Sequence, residues 1–224
     1  MDYINDINVY SKTWKDHLNH LEDVLERLRK AKLKINAEKC HFCTQEAHFL
    51  GHVVGTHGVA PDPEKVEKVA KYPTPKCLKE VRSFLGLAGY YRKFIKDYSK
   101  KTKPLTSLTQ KEQPFEWTKN QQEAFEELKK NLTNQPVLKY PDFEKEFTLM
   151  TDASNIAIGA VLTQKDDQGK EHPIAYYSKG LIGCEKNWDT TNLEAFAVVN
   201  AVGKFRHYLH GRKFKIITDH SALL

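Results

Sequence analysis

The hydrophobic period of this chain changes most sharply across one proline-bounded segment, Pro136 to Pro141. Before it, apolar residues recur every three or four positions, as in Leu18, Leu21, Leu25 and Leu28 and again in Ala124, Phe125, Leu128 and Leu132. That is the spacing of helices with one buried face. After it, Phe147 to Thr151 and then Ile156, Ile158, Ala160 and Leu162 follow the strand pattern, with side chains alternating between two faces. The segment is therefore read as a linker.

Local signals fill in both sides. Thr13-x-x-Asp16 resembles a capping box and opens a helix expected to run to near Asn36. Phe49, Leu50, Val53 and Val54 around Gly51 read as a strand and tight turn, and Asp62-Pro63-Glu64 starts a short helix with Pro63 tolerated in its first turn. Helices should break near Gly89 and Pro104, and Thr118-x-x-Gln121 caps another that must stop before Pro136. Beyond the linker, Asp166-Asp167-Gln168-Gly169 is turn chemistry, Ile174 to Tyr177 a third strand, Thr190 onward a long helix, and Phe214 to Thr218 a fourth strand. The expected class is α+β or α/β, divided at 1–73, 74–135 and 136–224. Trp117 and Trp188 are expected as buried anchors at element starts.

Charge is concentrated. Between Thr74 and Lys111 lie Lys76, Lys79, Arg82, Arg92, Lys93, Lys96, Lys100, Lys101, Lys103 and Lys111 against only Glu80 and Asp97, within a chain of net charge +6. Phe84, Tyr90, Tyr91, Phe94 and Tyr98 interleave with them, a composition suited to a polyanion. The plainer reading makes the rings core, since Phe84, Leu85, Ala88 and Tyr91 fall at helical spacing. No apolar run approaches the roughly eighteen residues of a membrane span. The start, Met1 to Asp6, lacks the regions of a secretory signal, so an intracellular place, cytoplasmic or nuclear, is expected. Four cysteines are too few and too scattered for a disulfide framework.

Three acids stand where a sheet and its helix can bring distant residues together. Asp152 closes the first strand of the last region, Glu194 is expected in the first turn of its long helix, and Asp219 closes its fourth strand. Carboxylates gathered within a few ångströms need Mg²⁺ or Mn²⁺ to stay ionised together, and two such ions can assist attack on a phosphodiester. Capping or surface roles explain the same acids from spacing alone.

The motifs around them resemble a known family. Thr151-Asp152-Ala153-Ser154, Ile158-Gly159-Ala160-Val161-Leu162, Asn187-Trp188, Phe205-Arg206-His207-Tyr208-Leu209-His210-Gly211 and Thr218-Asp219-His220 are similar to the ribonuclease H-like domain of gypsy-like long-terminal-repeat retrotransposon Pol polyproteins. Upstream, Phe49-Leu50-Gly51-His52, Glu80-Val81-Arg82-Ser83-Phe84-Leu85-Gly86-Leu87 and Tyr90-Tyr91-Arg92-Lys93-Phe94-Ile95 resemble the reverse transcriptase palm, thumb and connection of the same elements. The resemblance implies that Asp152, Glu194 and Asp219 bind two Mg²⁺ or Mn²⁺ ions and hydrolyse RNA in an RNA–DNA hybrid. It implies that Phe49, Leu50, Gly51 and His52 steady a primer end, and that Lys76, Arg82, Tyr90, Tyr91, Arg92 and Lys93 follow the duplex backbone.

The pattern departs from the family at both ends. The polymerase turn, Tyr-x-Asp-Asp in the family, reads Tyr3-Ile4-Asn5-Asp6, and a neutral Asn5 replaces an anionic metal ligand. No polymerisation by this chain alone is expected. Few residues follow Asp219, so the family's later strand, helix and fourth acid are expected to lie in missing flanks, or another subunit to complete the site. Two alternatives stand beside a nuclease: a basic module that holds nucleic acid without cutting it, and a decayed gene fragment. Cys40-x-x-Cys43 with His48 and His52 has zinc-like spacing, but His48 and His52 flank an apolar strand and are read as structural.

Overall fold

The computed structural model describes residues 2–3, 6–111, 113–134 and 136–223. The chain divides into two compact units, residues 1–56 and 57–224. In the first, strands β1 (Asp2–Tyr3) and β2 (Asp6–Ile7) pair antiparallel, Tyr3 opposite Asp6. Ile4 and Asn5 of the polymerase-like turn lie outside the described residues.

Helix α1 (Trp14–Lys30) starts as its capping signal predicts, with the Asp16 N–H donating to Thr13 Oγ1 at 3.2 Å. It ends six residues before Asn36. Lys32 adopts a left-handed φ of 57°, its N–H returns to Arg29 O, and the Leu33 N–H reaches Leu28 O. This pair of bonds is a Schellman closure, with Lys32 in the place usually held by glycine. Strands β3 (Glu46–Phe49) and β4 (His52–Gly55) then form a two-residue hairpin. Its turn residues, Leu50 and Gly51, both have positive φ, 49° and 67°. That is the backbone twist a tight hairpin favours, and it strains a leucine.

The second unit begins with β5 (Gly58–Pro61), whose Val59 exchanges two backbone hydrogen bonds with Leu138. Gly58 is required there: with φ at 134°, an added Cβ would sit 2.1 Å from Leu138 O. Helix α2 (Pro63–Ala70) is capped by Asp62, which accepts from the Glu64 N–H, and has Pro63 in its first turn. Helices α3 (Leu78–Tyr90), α4 (Tyr98–Lys101), α5 (Lys103–Ser107) and α6 (Lys119–Thr133) follow. Thr118 opens α6, its N–H donating to Gln121 Oε1 at 3.2 Å and its hydroxyl donating to the same oxygen. Phe84, Tyr91, Phe94, Leu105, Phe125 and Leu128 form the helical core, so the core reading of the aromatic stretch holds for its buried rings. Tyr90 is the exception at 52% exposure.

A four-stranded mixed sheet completes the unit, in the order β8-β7-β6-β9. Its strands are β6 (Phe147–Ala153), β7 (Ala157–Lys165), β8 (Glu171–Gly180) and β9 (Phe214–Ile217). Asp166 closes the β7–β8 turn, accepting from the Gln168 and Lys170 N–H groups and facing His172 at 2.7 Å. The crossover from β8 to β9 is helix α7 (Thr190–Lys204) with the short α8 (Arg206–Leu209), splitting at Phe205 what the sequence suggested as one helix. Phe147, Leu149 and Leu162 pack with Ala201, Phe205 and Leu209 on one side of the sheet. Trp117 anchors as expected, edge-on to Phe125 with its Nε1–H donating to Gln122. Trp188 does not: it is 39% exposed and stands edge-on to Phe196, whose ring lies between it and the Leu193–Ala197 cluster. Among the described residues no helix is long and apolar enough to cross a membrane.

Phe125 is fully buried between Phe84, 4.6 Å away by ring centroids, and Trp117. Phe125→Ala is expected to lower the free energy of unfolding by about 3–5 kcal/mol in urea denaturation. A loss under about 1 kcal/mol would mean that α6 is not packed this way.

Candidate functional site

The topology of the second unit brings two of the three acids together by register alone. β6 and β9 run parallel, and their last paired positions are Met150 and Ile217. Asp152 and Asp219 each lie two residues further along, at the same end of neighbouring strands. Asp152 is the penultimate residue of β6, while Asp219 falls beyond β9, which ends at Ile217. Both side chains are exposed.

Glu194 comes from the other direction. Asp189 caps α7 by accepting the Asn192 N–H at 2.8 Å, which makes Glu194 the fifth residue of the helix and puts it in the second turn rather than the first. The side chain is 3% exposed, and its Oε1 accepts the Ala153 N–H at the end of β6 at 3.2 Å. Its Oε2 is buried with no hydrogen-bond partner, as is Thr151 Oγ1. A hydrogen bond to a charged group contributes about 1.5–3 kcal/mol, and an unpaired buried polar atom costs about the same. The one bond to Ala153 therefore does not compensate a buried anion.

Burial raises the Glu194 pKa above the ordinary carboxylate range, and the charge of Asp219 raises it further. The Ala153 hydrogen bond opposes this, Asp152 adds a smaller rise, and His220 a smaller fall. The three acids thus share one electrostatic environment. They are not closed on a point: among the described residues no group of three or more His, Cys, Asp or Glu side chains could hold one metal ion. The pleat gives the reason. Leu149 and Ala153 pack toward α7, so the alternating position Asp152 faces the opposite side and meets Glu194 only around the strand end.

The sequence reading assigned no role to His220, which pins the Asp219 segment. Its Nε2 lies 2.9 Å from Thr191 Oγ1 at the start of α7, and its N–H donates to Thr218 Oγ1. The signal was adjacency to Asp219. The expected nucleic-acid residues divide by exposure. Lys76, Arg82, Tyr90, Arg92 and Lys93 lie at the surface, whereas Tyr91 is 1% exposed and belongs to the core. In the first unit, Phe49, Leu50, Gly51 and His52 make the hairpin turn, with His52 Nδ1 held 2.7 Å from Leu50 O; Asp6 is exposed in β2.

Comparison with known proteins agrees with this architecture. The family described as the RNase H-like domain found in reverse transcriptase matches residues 117–216, and the reverse transcriptase (RNA-dependent DNA polymerase) family matches residues 1–54. The chain is 45% identical over 222 residues to the retrovirus-related Pol polyprotein from transposon 297 of Drosophila melanogaster, covering 99% of this chain and 20% of that protein. It is 40% identical over 224 residues to the transposon Tf2-3 polyprotein of Schizosaccharomyces pombe, covering 99% and 17%. The chain thus spans about one fifth of the length of these relatives. Among solved structures, the foamy viral protease-reverse transcriptase in complex with RNA/DNA hybrid aligns over 96% of this chain and 30% of its own, with a TM-score of 0.79 at 25% identity. The same viral protein with double-stranded DNA aligns over 96% and 45%, again at 0.79. The chain is similar to the stretch of transposon Pol polyproteins in which reverse transcriptase passes into its RNase H-like domain.

Proposed function

We propose that the mixed sheet hydrolyses RNA within an RNA–DNA hybrid, using divalent cations held among Glu194, Asp152 and Asp219, and that this chain does not polymerise DNA on its own. The observation that carries the reading is the buried Glu194 carboxylate, with one oxygen on the Ala153 N–H and the other without a partner, beside two further acids. A cation supplies the compensation that neither the backbone nor water exposure provides there. When bound, a pair of Mg²⁺ or Mn²⁺ ions activates a water and stabilises the leaving oxygen. The chain's own part is to fix the ligands: Ala153 orients Glu194, strand register aligns Asp152 with Asp219, and His220 ties the Asp219 segment to α7.

Nucleic acid fits the surface chemistry. Lys76, Arg82 and Arg92 are exposed cations of the helical part, Lys93 is exposed along its stem with its ammonium 5.1 Å from the Phe94 ring, and the Tyr90 ring is exposed, a set suited to a phosphate backbone and a sugar or base face. The related foamy viral structure holds an RNA/DNA hybrid. On this reading residues 1–73 are palm, 74–135 thumb and connection, and 136–224 RNase H-like. The Phe49–His52 turn steadies a primer end, and further polyprotein segments or another subunit complete the intracellular enzyme. A second reading, binding without cleavage, is favoured by one observation: the three acids do not form a ready-made metal cage among the described residues.

Cleavage of a labelled hybrid separates the two. Weak Mg²⁺-dependent products are expected from the 224-residue chain, because further segments complete the site, and Asp152→Asn should reduce them by at least about 100-fold, the upper range for losing a mere outer-shell partner. Activity indifferent to that substitution would refute the site.

The proton linkage of Glu194 gives a test without substrate. Its folded pKa is raised, so without metal the folded state holds the proton more tightly than the unfolded chain does. The stability this lends is complete below the ordinary glutamate pKa and is lost as pH rises through the raised value. Subtracting the pH–Tm curve of Glu194→Gln from that of the native chain should show this fall, and Mg²⁺ should raise the native Tm most on the alkaline side. Parallel curves would contradict the assignment.

Salt dependence tests the basic surface. Lys76→Ala with Arg82→Ala should reduce the steepness of log affinity against log salt by about 2. An unchanged slope would place the hybrid elsewhere.

A further inference from the structure

One row of residues crosses the sheet from the candidate site to its far edge. Asp152 on β6 pairs with Gly159 on β7, and Gly159 pairs with Ser178 on β8. Cross-strand partners point to the same face, so all three look away from α7. On that face lies the helical part of the same unit, with α4 and the 3-10 turn Arg92–Phe94 against β8. The contact is specific in each position. A Cβ at Gly159 would stand 2.8 Å from Asp97 Oδ1, so the Asp97 carboxylate occupies the room that only glycine leaves. One position along, Ser178 Oγ accepts the Ser99 N–H at 2.8 Å and donates to Ser99 Oγ at 3.1 Å.

Asp97 reaches this place with a left-handed φ of 56°, a conformation that aspartate adopts more readily than most residues. The Tyr176 hydroxyl, on the same face of β8, is pushed up first by burial and then by the Asp97 charge. Strand interiors seldom keep glycine without a close approach to explain it, and here the approach comes from Asp97, between the Arg92–Phe94 turn and α4.

We propose that Asp97 and Ser99, seated on the Asp152–Gly159–Ser178 row, form a latch that fixes the distance between the basic helical surface and the nuclease acids. They are positioning residues: they touch no substrate, and they make two contact surfaces for one hybrid into a single rigid body. This rests on the nuclease reading of Asp152, Glu194 and Asp219. Rigid linkage raises the effective concentration of the second surface once the first is engaged, and loosening it weakens binding without removing any contact group.

The test uses the full chain and an end-labelled RNA–DNA hybrid, footprinted with hydroxyl radicals without Mg²⁺, alongside amide exchange of residues 97–101. Gly159→Val drives a wedge under Asp97, and Gly159→Val with Asp97→Gly relieves it, because glycine suits the left-handed position. The native chain should protect one continuous stretch. Gly159→Val should speed exchange at 97–101, lose protection at one end of the stretch and bind about tenfold more weakly. The double variant should recover all three. If Gly159→Val does not fold, Ser178→Ala carries the same comparison through the lost Ser99 bond. The latch is overturned if exchange accelerates while footprint and affinity stay native, or if the wedge leaves exchange at 97–101 unchanged. A native chain that binds but never cuts with Mg²⁺ refutes the nuclease and still leaves the footprint to decide the latch; one that does not bind refutes both.

Discussion

A single hydrogen bond, from the Ala153 N–H to Glu194 Oε1, joins the crossover helix to the strand end where the chemistry is proposed. It holds a carboxylate in a place that burial and two neighbouring acids make hostile to negative charge. The sheet order and the parallel β6–β9 pairing set the positions of those neighbours, so the fold creates the repulsion as directly as it creates the site. Groups stressed in this way cluster at functional sites, which is what makes this strand end the candidate. The remaining features of the second unit serve to hold that strand end still: the Asp189 cap, the His220 contact and the packing of Leu193 and Ala197 beneath α7.

The helical part is bound to the sheet by polar contacts at one row, in addition to apolar packing. Tyr176 of β8 packs into the helical core, while Ser99 and Asp97 meet Ser178 and Gly159. Nucleic acid lying on exposed Arg92 or Lys93 would therefore touch a surface four to seven residues along the chain from Asp97 and Ser99, which grip the sheet. The surface proposed to bind nucleic acid and the acids proposed to cut it are thus joined through short segments of backbone packed on the sheet.

Much of this was legible in the residues. The change from period three-to-four to period two predicted helices before Pro136 and strands after Phe147, and the two Thr-headed capping signals predicted where α1 and α6 begin. Asp152, Glu194 and Asp219 could be singled out as element-end acids, and the motifs around them gave the family. What the residues did not reveal depends on tertiary register or on backbone conformation. The α1 terminus depends on Lys32 taking a left-handed φ, for which lysine gives no signal. Tyr90 and Tyr91 are neighbours of the same type, yet one is exposed and one is core, because the helix ends between them. Trp188 looked like an anchor by size and lies outward. Asp97, Gly159 and Ser178 carry no shared motif, and only strand pairing brings them together.

The central claim, that Glu194, Asp152 and Asp219 are cation ligands whose crowding a metal relieves, is tested most directly by locating the metal. Anomalous diffraction from crystals grown with Mn²⁺ should show manganese bonded to Glu194 Oε2, with Asp152 and Asp219 drawn in to share it. Manganese found only at surface acids such as Asp166 and Asp167, with Glu194 Oε2 still unligated, would contradict the account.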